Sequence, residues 1–172
     1  MLNLNIYVEG PRDERFFIKV IKPLLRANYR VRVSPHCEDP DCLISDFASV
    51  IKARGHLAVL VVDRDSHNHV CRHACKTYWL TKYPAFDETD VRIAEEMIES
   101  WYLAGAPAET WRELKIDERT DTNTLNKVAF LALIPTGMGE KEFRSRLLKS
   151  YSVELAKSRN VSFARFCSKY HA

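Results

Sequence analysis

The sequence predicts an α/β protein, a parallel-rich sheet of about four strands flanked by helices, with a C-terminal helical extension. Three observations predict it. Short apolar runs and helically spaced apolar residues follow one another as strand, helix, strand, helix, strand, the signature of parallel βαβ units. The run Leu57-Ala58-Val59-Leu60-Val61-Val62 is too short for a membrane span and has the branched residues of a strand buried on both faces. After Pro107 the sequence reads only as helices, so residues 1–106 are expected to form the α/β core and residues 107–172 an extension packed on it, basic toward its end.

In order, Leu4 to Val8 reads as the first strand. Gly10 takes the turn, Pro11 suits the first helical position, and Asp13 and Glu14 complement the positive helix N-terminus. Phe16, Phe17, Val20, Ile21, Leu24 and Leu25 recur at helical spacing, with Pro23 expected to kink or restart the helix. Tyr29 to Val33 reads as a second strand. Asp39 before Pro40 is a good cap for a helix running to about Arg54, with Leu43, Ile44, Phe47, Val50 and Ile51 as its buried face and Gly55 as its stop. The Leu57 strand follows, then a helix over Val70 to Lys82, a fourth strand at Val91 to Ala94, and a helix over Met97 to Leu103.

With 172 residues and 46% hydrophobic content the chain can bury one sizeable core. The formal net charge of +3 neither demands nor excludes nucleic acid. Its distribution is uneven, since eight basic residues from Lys141 onward face only Glu142 and Glu154. Five cysteines, an odd number, do not suggest a disulfide framework. Met1 to Val8 lacks a basic leader and a long apolar region, so the expectation is a cytoplasmic protein with no membrane segment. The sequence is silent on oligomeric state.

The central apolar run stops at Asp63 and Asp65. Ligands of open α/β sheets sit beyond the carboxyl ends of the strands, so these acids are expected at the ligand edge, where alternate carboxylates suit a hard cation. Glu9 and Asp13 follow the first strand, and Glu99, with Glu95 or Glu96 on the same side, follows the fourth. Two of these acids also have a structural explanation. Asp65 or Ser66 would cap the next helix, and Asp13 would complement a helix dipole. Capping alone does not require Glu9, Asp63, Asp65 and Glu99 to converge on one sheet edge.

Three segments carry a family resemblance: Ile6-Tyr7-Val8-Glu9-Gly10-Pro11-Arg12-Asp13-Glu14-Arg15-Phe16-Phe17, Val61-Val62-Asp63-Arg64-Asp65 and Ile98-Glu99-Ser100-Trp101-Tyr102-Leu103-Ala104. Over roughly residues 4 to 105 the chain resembles a Toprim-fold domain, and more narrowly is similar to stand-alone Toprim-like proteins and the OLD (overcoming lysogenization defect) family nucleases. The resemblance implies metal-dependent phosphodiester hydrolysis of DNA or RNA. Glu9, Asp63 and Asp65 would be the catalytic acids, and Glu9, Asp13, Asp63, Asp65 and Glu99 would hold Mg²⁺ or Mn²⁺ as two ions. Because OLD-type nucleases work with an ABC-type ATPase and this chain has no ATP-binding motif, it also implies a separate ATPase partner, in an anti-phage defence system. The alternative of another class is a non-catalytic Toprim-like module that binds nucleic acid or a partner protein.

A rival metal reading is structural Zn²⁺ held among His67, His69, Cys71, His73 and Cys75, with His36, Cys37 and Cys42 upstream. The spacing fits no common zinc motif, and surface histidines with packed cysteines account for the same residues. In the tail, Gly137 and Gly139 make a turn with no Walker spacing. Phe143, Leu147, Leu148, Tyr151 and Leu155 form an apolar face that leaves Arg144, Arg146 and Lys149 to point outward, toward solvent or a nucleic-acid backbone. Lys141 or Arg144 is a candidate for stabilising transition-state charge.

Overall fold

The computed structural model describes residues 1–36, 41–65 and 69–170. Four parallel strands, β1 (Leu2–Val8), β2 (Tyr29–Pro35), β3 (Leu57–Asp63) and β4 (Val91–Ala94), form one sheet in the order β2-β1-β3-β4. Leu4 of β1 pairs with Val31 on one side and Leu57 on the other, and Tyr7 pairs with Ser34 and Leu60. The chain therefore leaves β1 toward one edge, returns past it, and continues toward the other. Winding reverses between β1 and β3, which makes that gap the topological switch point of the sheet.

Side-chain alternation explains why these strands carry unbroken apolar runs. Tyr7, Ala58, Leu60 and Val62 enter a cluster with Ile44, Ala48, Trp79, Tyr83 and Phe86. Leu4, Ile6, Val8, Val59 and Val61, of opposite parity, are also buried. Both faces of β1 and β3 are thus covered, and each aliphatic side chain so buried contributes about 1.5–3 kcal/mol.

The first crossover runs as α1 (Pro11–Phe16), a π-helical turn (Phe17–Ile21) and α2 (Lys22–Leu25). Pro23 has no N–H to donate, and its ring crowds the preceding turn. The turn before it widens, with the Lys22 N–H reaching the Phe17 carbonyl, so the helix swells through the proline. Phe16, Phe17, Val20, Ile21 and Leu25 are buried as expected.

In α3 (Asp41–Ala53) the expected buried face needs correction. Ile44 and Ala48 are buried, but Leu43, Phe47 and Val50 are 38%, 53% and 48% exposed. The apolar arc of this helix is wider than the face that meets the sheet, and small Ala48 sits at the contact. Asp39, its expected cap, lies outside the described residues. α4 (Arg72–Lys82) opens on Cys71, whose Sγ accepts the Ala74 N–H at 3.5 Å, and stacks Trp79 on Tyr83. Ser66, the other expected cap, also lies outside the described residues.

The chain divides into two compact units, Met1–Ile93 and a second beginning at Ala94. The second contains α5 (Glu99–Ala104), α6 (Ala108–Glu113), α7 (Lys127–Ala132), α8 (Glu140–Leu147), α9 (Val153–Arg159) and α10 (Val161–Tyr170). Every residue of α5 is buried, and its Trp101 ring meets Phe163 and Phe166 of α10 at 5.3 and 5.6 Å. The Trp101 indole N–H donates to Ser162 Oγ at 2.8 Å, and the fully buried Asn160 side chain donates to Ser100 Oγ and the Thr122 carbonyl. These shared partners group α5 with the helices that follow it.

Gly105 lies against the Tyr151 ring so closely that a Cβ there would stand 2.2 Å from a ring carbon. The Tyr151 hydroxyl donates to the Trp101 carbonyl at 3.0 Å, which fixes the ring in place. Gly105→Ala is therefore expected to cost about 1–3 kcal/mol, read as a lower urea midpoint with an unchanged slope. Burial pushes the nearby Cys167 thiol up to about 11, from 9.0, and raises the Tyr151 phenol as well. The unfolded chain loses these protons first. The stability that the Cys167 thiol supplies is complete below about pH 9 and lost as pH rises through about 11, so the urea midpoint should fall across that window and fall less in Cys167→Ala.

Candidate functional site

The acids expected to act are delivered by backbone geometry at the carboxyl edge of the sheet. Glu9 is exposed and follows β1 directly. Gly10 then turns the chain, and its carbonyl accepts the N–H groups of Asp13 and Glu14 at 3.1 and 3.0 Å. The Asp13 carboxylate closes the same turn by accepting the Gly10 N–H at 3.0 Å, and is 8% exposed. Asp13 thereby holds the bend that carries Glu9.

Asp63, half-buried, is the last residue of β3, and the buried Cys75 thiol donates to its carbonyl at 3.8 Å. Asp65 is exposed with φ of 43°, in the left-handed region that aspartate tolerates better than most residues. Its carbonyl accepts the His69 N–H at 3.1 Å. Since Tyr7 pairs with Leu60, Glu9 just past the end of β1 and Asp63 at the end of β3 stand on either side of the switch point. Asp65 lies beyond the strand, so its carboxylate does not simply repeat the direction of Asp63.

Glu99 lies in the second unit and has a cation there. Its Oε1 accepts Arg144 Nη2 at 2.5 Å, and the same guanidinium donates to Glu140 at 2.6 Å. Arg144, expected to point outward, is 6% exposed and lies over the Phe130 ring. Burial alone would lower its proton affinity; the Glu99 charge and the hydrogen bonds that Arg144 donates to both glutamates outweigh this and raise it. The correction has a simple cause. Arg144 lies on the same helix as the buried Phe143 and Leu147, and Glu99 of α5 together with Glu140 at i,i+4 supplies the charge that lets it stay inside. Glu95 comes within 3.9 Å of Arg165, and Glu96 is buried with φ of 60°. Arg146 remains on the exposed side, paired with Glu142.

Among the described residues no three His, Cys, Asp or Glu side chains gather to hold an ion. An all-protein zinc cage is therefore absent from the described residues. Cys71 is exposed while Cys75 is buried, and the His69 ring packs on Tyr78. His67, Cys37 and the Cys42 side chain lie outside the described residues. Mg²⁺ needs no such cage, because it keeps several waters and takes one or two carboxylates plus substrate phosphate. Glu9, Asp63 and Asp65 carry hard oxygen donors of the type such an ion takes. Asp13 and Glu99, the acids assigned to a second ion, each hold an internal hydrogen bond.

No protein-family model, curated protein or solved structure matches the chain. Among the described residues no helix is long and apolar enough to cross a membrane.

A buried ion pair makes a testable distinction for Glu99. If the carboxylate serves Arg144, Glu99→Gln and Arg144→Met should each destabilise the fold by about 3 kcal/mol, and the double variant by clearly less than their sum. Strict additivity in urea denaturation would show that the two are not coupled.

Proposed function

We propose that this chain is a metal-dependent nuclease that hydrolyses phosphodiester bonds of DNA or RNA. The observation that supports it is the pair Glu9 and Asp63, carried at the ends of neighbouring parallel strands at the switch point of the sheet. That edge is where open α/β sheets take their ligands. Asp63, with Asp65 close behind it, would hold Mg²⁺ or Mn²⁺ together with Glu9. When bound, such an ion supplies Lewis-acid polarisation of the phosphodiester and activation of water.

The chain's own residues have separable tasks. Glu9 is exposed, so its carboxylate is open to water and takes or returns a proton during hydrolysis. Asp63 is half-buried at the end of a strand covered on both faces, so the sheet holds its backbone in place. Asp13 positions Glu9 through the Gly10 turn. A separate ABC-type ATPase partner and a part in phage defence rest on the family resemblance.

One observation favours the non-catalytic alternative, a module that binds nucleic acid or a partner protein. Asp13 and Glu99, the acids assigned to a second ion, have internal partners. Cleavage separates the two readings. Wild-type protein is expected to cut labelled single- or double-stranded DNA, or structured RNA, with Mg²⁺ or Mn²⁺ and not with EDTA. Asp63→Asn should lose at least about 100-fold in rate with an unchanged unfolding midpoint. Metal-dependent cleavage retained by that variant would sink the assignment.

A further inference from the structure

We propose that Tyr78 and His69 form a stacking platform for the bases of single-stranded nucleic acid, beside the acidic edge of the sheet. This rests on the nuclease reading for the class of its ligand. The starting point is an exposed aromatic side chain. Tyr78 is 50% exposed although it sits on a helix whose other aromatic, Trp79, is packed into the core.

Its ring is held from two sides. His69 lies 5.2 Å away with the planes tilted by 47°, and Trp79 meets it edge-on at 5.2 Å and 83°. Trp79 is itself stacked on Tyr83 at 5.7 Å, with His36 edge-on to both. The exposed ring is thus the outer member of a braced aromatic column. A side chain held this way loses little freedom when a base stacks on it.

Position and charge point to the occupant. The His69 N–H donates to the Asp65 carbonyl, which ties the platform to the turn that bears the acids. The helix that presents Tyr78 carries Arg72, His73, Lys76 and Lys82 and not one acidic residue. Lys82 lies over the Trp79 and Tyr83 rings at 5.3 Å from each. A polyanion is the partner that such a helix attracts, and an exposed aromatic on a cationic helix, with Lys82 one turn on from Tyr78, is the pairing that binds single strands without regard to sequence. In a duplex the bases already stack on one another, so the platform favours unpaired strands.

The test measures binding in EDTA, where cleavage cannot intervene. Wild type, Tyr78→Phe and Tyr78→Ala would be titrated by fluorescence anisotropy with labelled thymidine and uridine homopolymers of about 20 nucleotides and with a duplex of equal length. Tyr78→Ala is expected to weaken single-strand binding about tenfold or more, Tyr78→Phe to bind as wild type, and the duplex to be insensitive to either change. Between about 50 and 200 mM salt, Tyr78→Ala should keep the wild-type salt slope, whereas Lys76→Gln should reduce it. Equal binding by wild type and Tyr78→Ala overturns the platform, as does absence of single-strand binding by wild type. Cleavage that persists in either case leaves the nuclease reading standing; intact Tyr78-dependent binding with no cleavage under any metal removes the nuclease reading and keeps the platform.

Discussion

The structure depends on the ladder that β1 makes on both sides. Pairing Leu4 with Val31 and with Leu57 sets three parallel strands in register, and the order of those strands places the reversal of winding beside β1. Register leaves little freedom here, because a one-residue slip would turn Leu4, Ile6 and Val8 out of one buried face and Tyr7 out of the other. Glu9 and Asp63 inherit their neighbourhood from this constraint. Neither is placed by a flexible loop, since each is the first polar residue at or after the end of a strand buried on both faces.

Below that edge, the chain spends polar interactions on holding turns. Asp13 ties down Gly10, and the Asp65 carbonyl takes the His69 N–H. On the far side of the same unit, Lys52 reaches Asp90 at 2.5 Å and Asp87 at 3.0 Å, which joins the end of α3 to the entry of β4. The second unit has its own polar centre, the Glu99–Arg144–Glu140 cluster, and its own aromatic centre around Trp101. A buried ion pair of this kind contributes little net energy when intact and costs several kcal/mol when broken, so it specifies one arrangement of α5 and α8.

The strands were legible in the sequence because full burial writes itself as continuous apolar runs. Leu57 to Asp63 and Val91 to Ala94 fall where the pattern places them. The π-helical turn was foreshadowed by Pro23, although its form follows from a missing N–H and not from periodicity. Two features were hidden for the same reason, that a helix shows its apolar residues but not which neighbour they meet. Leu43, Phe47 and Val50 look like core and lie outside it, and Arg144 looks like surface and lies within. Among the acids, the pattern located Glu9 and Asp63 through strand ends. It was blind to the hydrogen bonds of Asp13 and Glu99, because a carboxylate that caps a turn or pairs with an arginine has the same sequence spacing as one that awaits an ion.

The central claim, that the β1–β3 edge holds a divalent cation, is tested most directly by adding Mn²⁺ to isotope-labelled protein and following paramagnetic broadening of backbone amide signals. The account predicts that Gly10, Asp63 and Arg64 broaden first and together, and that Asp63→Asn removes the effect at all three. Broadening centred elsewhere, or at Asp63 without Gly10, would contradict it.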